Sequence, residues 1–154
     1  MGKINLGRVI VGGVVAGLVM DILGYIVDGV ILNGRWTVAN QHLGFGATTG
    51  GQIIGYNLLG LVTGLIAIWF YAAAKPRLGT RYRTALNVSL AIWMVAFVVP
   101  NASFMYVGGL YPHDLMVFTT LGALVEVLAG TMLGAQLYRE VAVPEPAPKT
   151  AAAV

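Results

Sequence analysis

The chain has 154 residues, of which 58% are hydrophobic and only 10% are charged, and its formal net charge is +3. Soluble domains carry charge on about a quarter of their residues, so this composition excludes an ordinary soluble domain, and it excludes intrinsic disorder over most of the length. The basic residues are few and lie between apolar runs, so we expect no nucleic-acid partner. There is no cysteine, which excludes disulfides, thiolate catalysis and cysteine-ligated metal centres.

Four segments are long and apolar enough to cross a bilayer, which takes about 20 residues. They lie at about 9–32, 53–74, 84–104 and 115–138. Because the hydrocarbon core offers no water to unpaired backbone groups, each segment must be helical. The sequence therefore predicts an all-α membrane protein: a four-helix transmembrane bundle within residues 1–140, followed by a Pro/Ala-rich cytoplasmic tail at 141–154.

The basic residues lie almost entirely on one side of the predicted bundle. Of the nine, only Arg35 falls on the other side; the rest lie near the N-terminus, in the tail, or in the loop between the second and third spans. The positive-inside rule then places both termini in the cytoplasm. The loop cations are also predicted to contact lipid headgroups. These loop residues are Lys75, Arg77, Arg81 and Arg83.

Two carboxyl groups fall inside the predicted spans, Asp21 in the first and Glu126 in the fourth. Ionisable groups at this depth are costly and indicate a functional role by default. The two residues lie at similar distances from the cytoplasmic ends of their helices, so we expect the two carboxyls at matched depth in the membrane. With no Lys or Arg at that depth to pair with them, we expect at least one to be protonated at neutral pH. The alternatives are proton or ion handling, and a structural hydrogen bond between helices.

Glycine recurs at spacings of three or four residues beside each of these carboxyls, which places the small residues on one helical face. Such faces let helix backbones approach closely. We therefore expect the first and fourth spans to pack together, with Asp21 and Glu126 facing each other or a shared cavity. The glycines are Gly13, Gly17 and Gly24 on the first span, and Gly122, Gly130 and Gly134 on the fourth.

A second polar concentration is predicted on the outer side, where residues 35–43 are expected to form a short surface helix. Histidine and carboxylate can ligate a metal, and a single histidine near the membrane can ligate a tetrapyrrole. The alternative is that both histidines are simply solvated, and that Asp114 caps the fourth span. The residues of this possible ligand, metal or pigment site are His42, His113, Asp114 and Asp28.

Three stretches carry a resemblance to a group of small, four-span bacterial inner-membrane proteins of unassigned function. They are GLVMDILG at 17–24 running into DGVIL at 28–32, YAAAKPRLG at 71–79, and LVEVL at 124–128 followed by LYRE at 137–140. The resemblance implies a multi-pass protein of the bacterial inner membrane. It assigns no catalytic or binding residue.

These features favour a non-enzymatic integral membrane subunit that packs through its glycine-rich faces. It would be an accessory or structural component of a larger complex, energy-transducing complexes being one class. We find no nucleophile with an orienting base, so we expect no enzyme. The first alternative is an oligomeric proton-linked carrier of a small solute that uses Asp21 and Glu126. The second is a binder of lipid, quinone or tetrapyrrole pigment between the helices. The expected partners are membrane lipids and other membrane subunits or copies of the same chain.

Overall fold

The computed structural model describes residues 4–140, apart from the side chains at 106 and 107, and the predicted tail at 141–154 lies outside this range. The described part is helical and contains no strand. Four helices are long and apolar enough to cross a membrane, which confirms the all-α class and the four spans. The helices are α1 (Leu6–Ile31), α2 (Asn33–His42), α3 (Gly50–Leu78), α4 (Arg81–Met105) and α5 (His113–Leu137).

Local sequence explains where several of these helices begin. The side chain of Asn5 accepts a hydrogen bond from the Arg8 amide at 3.2 Å and caps α1. Thr49 and Gln52 form a reciprocal capping box at the start of α3. The predicted surface helix is confirmed as α2, displaced by one or two residues from 35–43. The prediction that Asp114 caps the fourth span is wrong, because the cap position of α5 is occupied by Pro112.

The four long helices form a ring in which α1 packs on α3 and α5, and α4 packs on the same two helices from the other side. We call the end that holds residues 4–8, the loop between α3 and α4, and residues 138–140 the basic end. We call the opposite end, which holds α2 and the loop before α5, the distal end. Both chain ends of the described part therefore lie at the basic end.

The bundle is tightly packed towards the basic end and open towards the distal end. Near the basic end the rings of Tyr71 and Tyr138 are fully buried and meet edge to face with centroids 5.8 Å apart. Around them lie small and aliphatic side chains of all four long helices. By contrast, none of residues 50–63 of α3 and none of residues 90–105 of α4 whose side chains are described is buried. The distal halves of α3 and α4 therefore expose most of their surface to the surroundings of the protein rather than to other helices of the chain.

Glycines on both helices form the contact between α1 and α3. A Cβ atom added at Gly64 would lie 2.5 Å from the backbone oxygen of Gly13 and 2.6 Å from the Cα of Gly17. A Cβ at Gly13 would in turn lie 2.7 Å from the Cα of Leu65. Gly13 and Gly17 thus face α3, and the expectation that they pack against the fourth span is wrong.

The contact between α1 and α5 uses the neighbouring face of α1. A Cβ at Gly12 would lie 2.7 Å from the backbone oxygen of Gly134, and one at Gly130 would lie 2.6 Å from the backbone oxygen of Ala16. Further along, a Cβ at Gly122 would lie 2.5 Å from a methyl of Val27. The first and fourth spans do pack closely as expected, and the glycines of the fourth span are in that interface.

Three π-helical stretches lie in the distal half of the long helices, at Tyr25–Ile31, Met94–Val98 and Ser103–Val107. The second lies within α4 and the third at its end, on either side of Pro100, which has no N–H to donate to the preceding turn. A wider turn accommodates such a missing bond. The stretch in α1 contains Asp28 and follows directly on Gly24.

Candidate functional site

Glu126 lies in the interface between α5 and α1. Its side chain is only 7% exposed, and its Oε1 atom has no hydrogen-bond partner among the described residues. The carboxyl sits over Gly24 of α1, since a Cβ at that position would lie 3.3 Å from Oε2. The absence of a side chain at Gly24 therefore creates the space in which this carboxyl is held.

Asp21 is half-buried and points to a different neighbour. A Cβ added at Gly60 of α3 would overlap Asp21 Oδ1, so this carboxyl fills the space above that glycine. Asp21 is therefore placed against α3 rather than against the fourth span as expected. It also lies three residues before Gly24, the partner of Glu126, which displaces it by about 4.5 Å along the helix axis. Along α1, the position of Asp21 and the position that Glu126 contacts are thus within one helical turn of each other, but the two carboxyls face different helices.

Asp28 joins three elements of the distal half. Its Oδ1 atom accepts hydrogen bonds from the indole Nε1 of Trp36 in α2 at 3.0 Å and from the hydroxyl of Thr119 in α5 at 2.9 Å. The ring of Trp36 also meets that of Tyr111 edge to face, with centroids 5.3 Å apart. The predicted outer-side residue Asp28 thus serves as the anchor between the first span, the surface helix and the fourth span.

The next residue of α5, Thr120, makes the corresponding link to α4. Its hydroxyl accepts a hydrogen bond from the amide of Asn101 at 2.8 Å and donates to the backbone oxygen of Met116 at 2.6 Å. Its own backbone oxygen accepts from the indole Nε1 of Trp93 at 2.7 Å. Thr119 and Thr120 together tie α5 to both neighbours. Our sequence interpretation missed them, although an adjacent threonine pair in a transmembrane helix is a detectable signal.

Three carboxyls therefore share one region of the bundle, since Asp21 lies three residues before Gly24, Asp28 lies four residues after it, and Glu126 sits over it. The ion pairs found within residues 4–140 involve other residues and lie near the two ends of the bundle. Glu126 is the most deeply buried of the three, and no Lys or Arg within residues 4–140 forms an ion pair with it. A carboxyl in such a place is chemically suited to hold a proton, because the neutral form is far cheaper to bury than the anion.

Two of the remaining outer-side residues lie around a separate surface pocket of about 340 Å³ between α2 and the start of α5. His42 and Asp114 are among its lining residues, and Asp114 Oδ2 forms an ion pair with Arg35 Nη1 at 2.7 Å. His113 begins α5 but does not line this pocket. Among residues 4–140, no three His, Asp or Glu side chains converge as metal ligands. The structure thus gives no support to the metal hypothesis.

The four loop cations differ in their surroundings. Arg81 and Arg83 are exposed at the start of α4. Arg77 lines a pocket at the basic end. Lys75 Nζ lies 3.5 Å from Glu140 Oε1 and 5.6 Å from the ring centre of Tyr138. All four lie at the end of the bundle where headgroup contact was predicted.

The chain was compared with known proteins at three levels. No protein-family model, no curated protein and no solved structure matches it. The resemblance to small four-span bacterial proteins accordingly remains a prediction.

Proposed function

We propose that this chain is a non-enzymatic subunit of a larger assembly in the bacterial inner membrane, with both termini in the cytoplasm. One observation carries the proposal. No residue of α3 between 50 and 63 is buried, whereas the same helix has a buried face from Gly64 onward, formed by Gly64, Ala67, Ile68, Tyr71 and Ala72. A partner helix lying along this distal half of α3 would complete the bundle.

The chemistry of the exposed surface favours protein over lipid as its neighbour. A Cβ at Gly55 would meet no atom within 4 Å, so this glycine serves no close approach inside the chain. The next two residues, Tyr56 and Asn57, are both exposed and carry a phenol and an amide. Small and polar residues are enriched where transmembrane helices meet, because they allow close approach and hydrogen bonding.

The structure changes which surface this proposal depends on. The sequence suggested packing through the glycine faces, but those of α1 and α5 are occupied within the chain by α3 and by each other. The partner surface is therefore the distal half of α3. Energy-transducing complexes remain one class to which such a subunit could contribute.

Site-specific photocrosslinking tests the proposal. A photoreactive amino acid at Tyr56, which is 66% exposed, should crosslink to a stoichiometric protein partner in native membranes. The matched control is Phe70, which is 48% exposed on the same helix near the basic end and should crosslink to lipid. Gentle detergent extraction should bring down the same partner. A clean monomer or homodimer, with only lipid adducts at Tyr56, would refute the proposal.

The orientation is tested separately, and the absence of cysteine makes the test simple. A single cysteine at Gly46, where a side chain meets nothing within 4 Å, should react with an impermeant thiol reagent added from outside the cell. A single cysteine at the exposed Arg83 should react only after the membrane is opened. The reverse pattern would invert the proposed topology.

A second candidate function is favoured by the buried Glu126 carboxyl: an oligomeric, proton-linked carrier of a small solute. Glu126 would take up and release the proton, with Asp21 as the neighbouring acceptor. The double change Asp21→Asn with Glu126→Gln should then abolish proton-linked flux in proteoliposomes. The control Asp114→Asn removes a carboxyl at the distal end and should leave the flux intact. Infrared spectroscopy should show a protonated-carboxyl band that Glu126→Gln removes. Persistence of that band would contradict the assignment.

The third candidate is a binder of lipid, quinone or tetrapyrrole between the helices, and the open distal half of α3 and α4 is the place it would use. Such a protein should purify with its ligand, detectable by absorbance or mass spectrometry. A preparation free of pigment and quinone that still binds a stoichiometric protein partner would favour the subunit.

A further inference from the structure

A pocket of about 350 Å³ opens at the basic end, where α3 and α5 come to their last turns. It lies next to the tightly packed part of the bundle, beside the buried ring of Tyr138. The position corresponds to the level at which transmembrane helices pass from hydrocarbon to headgroups. Its lining residues are Ile4, Ala72, Ala73, Pro76, Arg77, Tyr138 and Glu140.

The pocket contains one charge of each sign. Arg77 contributes a guanidinium, whose planar donors suit a phosphate. Glu140 contributes a carboxylate, whose Oε1 lies 3.5 Å from the ammonium of Lys75. The Glu140 side chain is 38% exposed, so its carboxylate can also accept a donor from outside the chain.

We propose that this pocket binds the headgroup of a phosphatidylethanolamine molecule from the leaflet at the basic end. Arg77 takes the phosphate. The primary ammonium donates to the Glu140 carboxylate. Ile4 and Ala73 provide the apolar wall along which the lipid enters. The inference is independent of the proposed subunit function, since a lipid-binding site of this kind suits any of the three candidates.

The charges in the pocket select this headgroup over the two common alternatives. A quaternary choline ammonium has no N–H and makes no hydrogen bond to Glu140. An anionic glycerol headgroup has no cation, and it would lie against the Glu140 carboxylate. Arg81 and Arg83 are exposed outside the pocket and attract anionic lipid without regard to headgroup shape.

Native mass spectrometry of the full chain, released from nanodiscs of defined lipid composition, tests the proposal. The wild-type protein should retain one phosphatidylethanolamine in preference to phosphatidylcholine or phosphatidylglycerol, by roughly tenfold for the hydrogen bonds gained. Glu140→Gln should remove the preference between ethanolamine and choline headgroups. Arg77→Gln should weaken retention of all three lipids.

Arg83→Gln is the matched control, since it removes an equal charge from the same end but outside the pocket. It should leave the ethanolamine preference unchanged. All three variants alter exposed residues and should unfold at the wild-type temperature in phosphatidylcholine. Equal retention of the three lipids by the wild type, a preference for phosphatidylglycerol, or loss of selectivity in Arg83→Gln would each overturn the proposal.

Discussion

Replacing Gly64 by alanine should separate α1 from α3 at the centre of their contact. The added methyl would lie 2.5 Å from the Gly13 oxygen and 2.6 Å from the Gly17 Cα, where ordinary contact begins near 3.4 Å. These are backbone atoms, so no side-chain rotation relieves the overlap. The helices must instead move apart by about 1 Å, and a gap of that size forfeits roughly a quarter to a half of each neighbouring dispersion contact.

The expected cost follows from that geometry. Overpacking a close interface costs about 1–3 kcal/mol, and an all-backbone clash belongs at the upper end of that range. Alanine is favoured over glycine in a helix by about 0.5–1 kcal/mol, which offsets part of the loss. Gly64→Ala should therefore lower the free energy of unfolding by about 2 kcal/mol.

Gly55→Ala on the same helix is the control. Nothing lies within 4 Å of its added methyl, so only the helix-propensity gain remains, and the isolated chain should be unchanged or stabilised by up to about 1 kcal/mol. Equilibrium unfolding in mixed detergent and SDS micelles, followed by circular dichroism, measures both. Equal effects of the two changes would refute the packing of α1 on α3 described above.

Three smaller changes test the polar contacts of the distal half. Thr119→Val removes one of the two hydrogen bonds to Asp28, so it should lower the free energy of unfolding by about 0.6 kcal/mol and by no more than about 1.7 kcal/mol. A larger loss would contradict the interpretation that this threonine only joins α5 to α1. Trp36→Phe keeps an aromatic ring but loses the indole donor, so hydrogen exchange in α2 should accelerate while that in α5 stays unchanged; uniform acceleration would contradict a local role. Arg35→Gln breaks an exposed ion pair with Asp114 and should change stability by less than about 1 kcal/mol at any salt concentration.

The sequence was sufficient to predict the helices, because hydropathy over about 20 residues reports directly on membrane crossing. It was not sufficient to assign the partner of each glycine. Gly12 and Gly13 are adjacent and therefore point about 100° apart. Gly12 faces α5 and Gly13 faces α3. Both faces of α1 carry small residues at intervals of four, so the spacing alone does not show which face meets which helix.

The candidate site was predicted in part for the same reason. Asp21 and Glu126 stand out because ionisable residues are rare at membrane depth. Their neighbours, Gly60 and Gly24, carry no side chain that could signal a contact with a carboxyl. The open distal half was also beyond prediction, since an apolar residue facing lipid and one facing a helix look alike in sequence.

The π-helical stretch at Tyr25–Ile31 ends α1 and sets the direction in which Asp28 points relative to the glycines earlier in that helix. In a helix one residue more or less turns everything beyond it by about 100°. Deleting a residue between Gly24 and Asp28 would therefore swing Asp28 away from Thr119, while the glycine contacts before Gly24 kept their orientation. An insertion or deletion at that place is thus expected to uncouple α2 from α5 without disturbing the packing at the basic end.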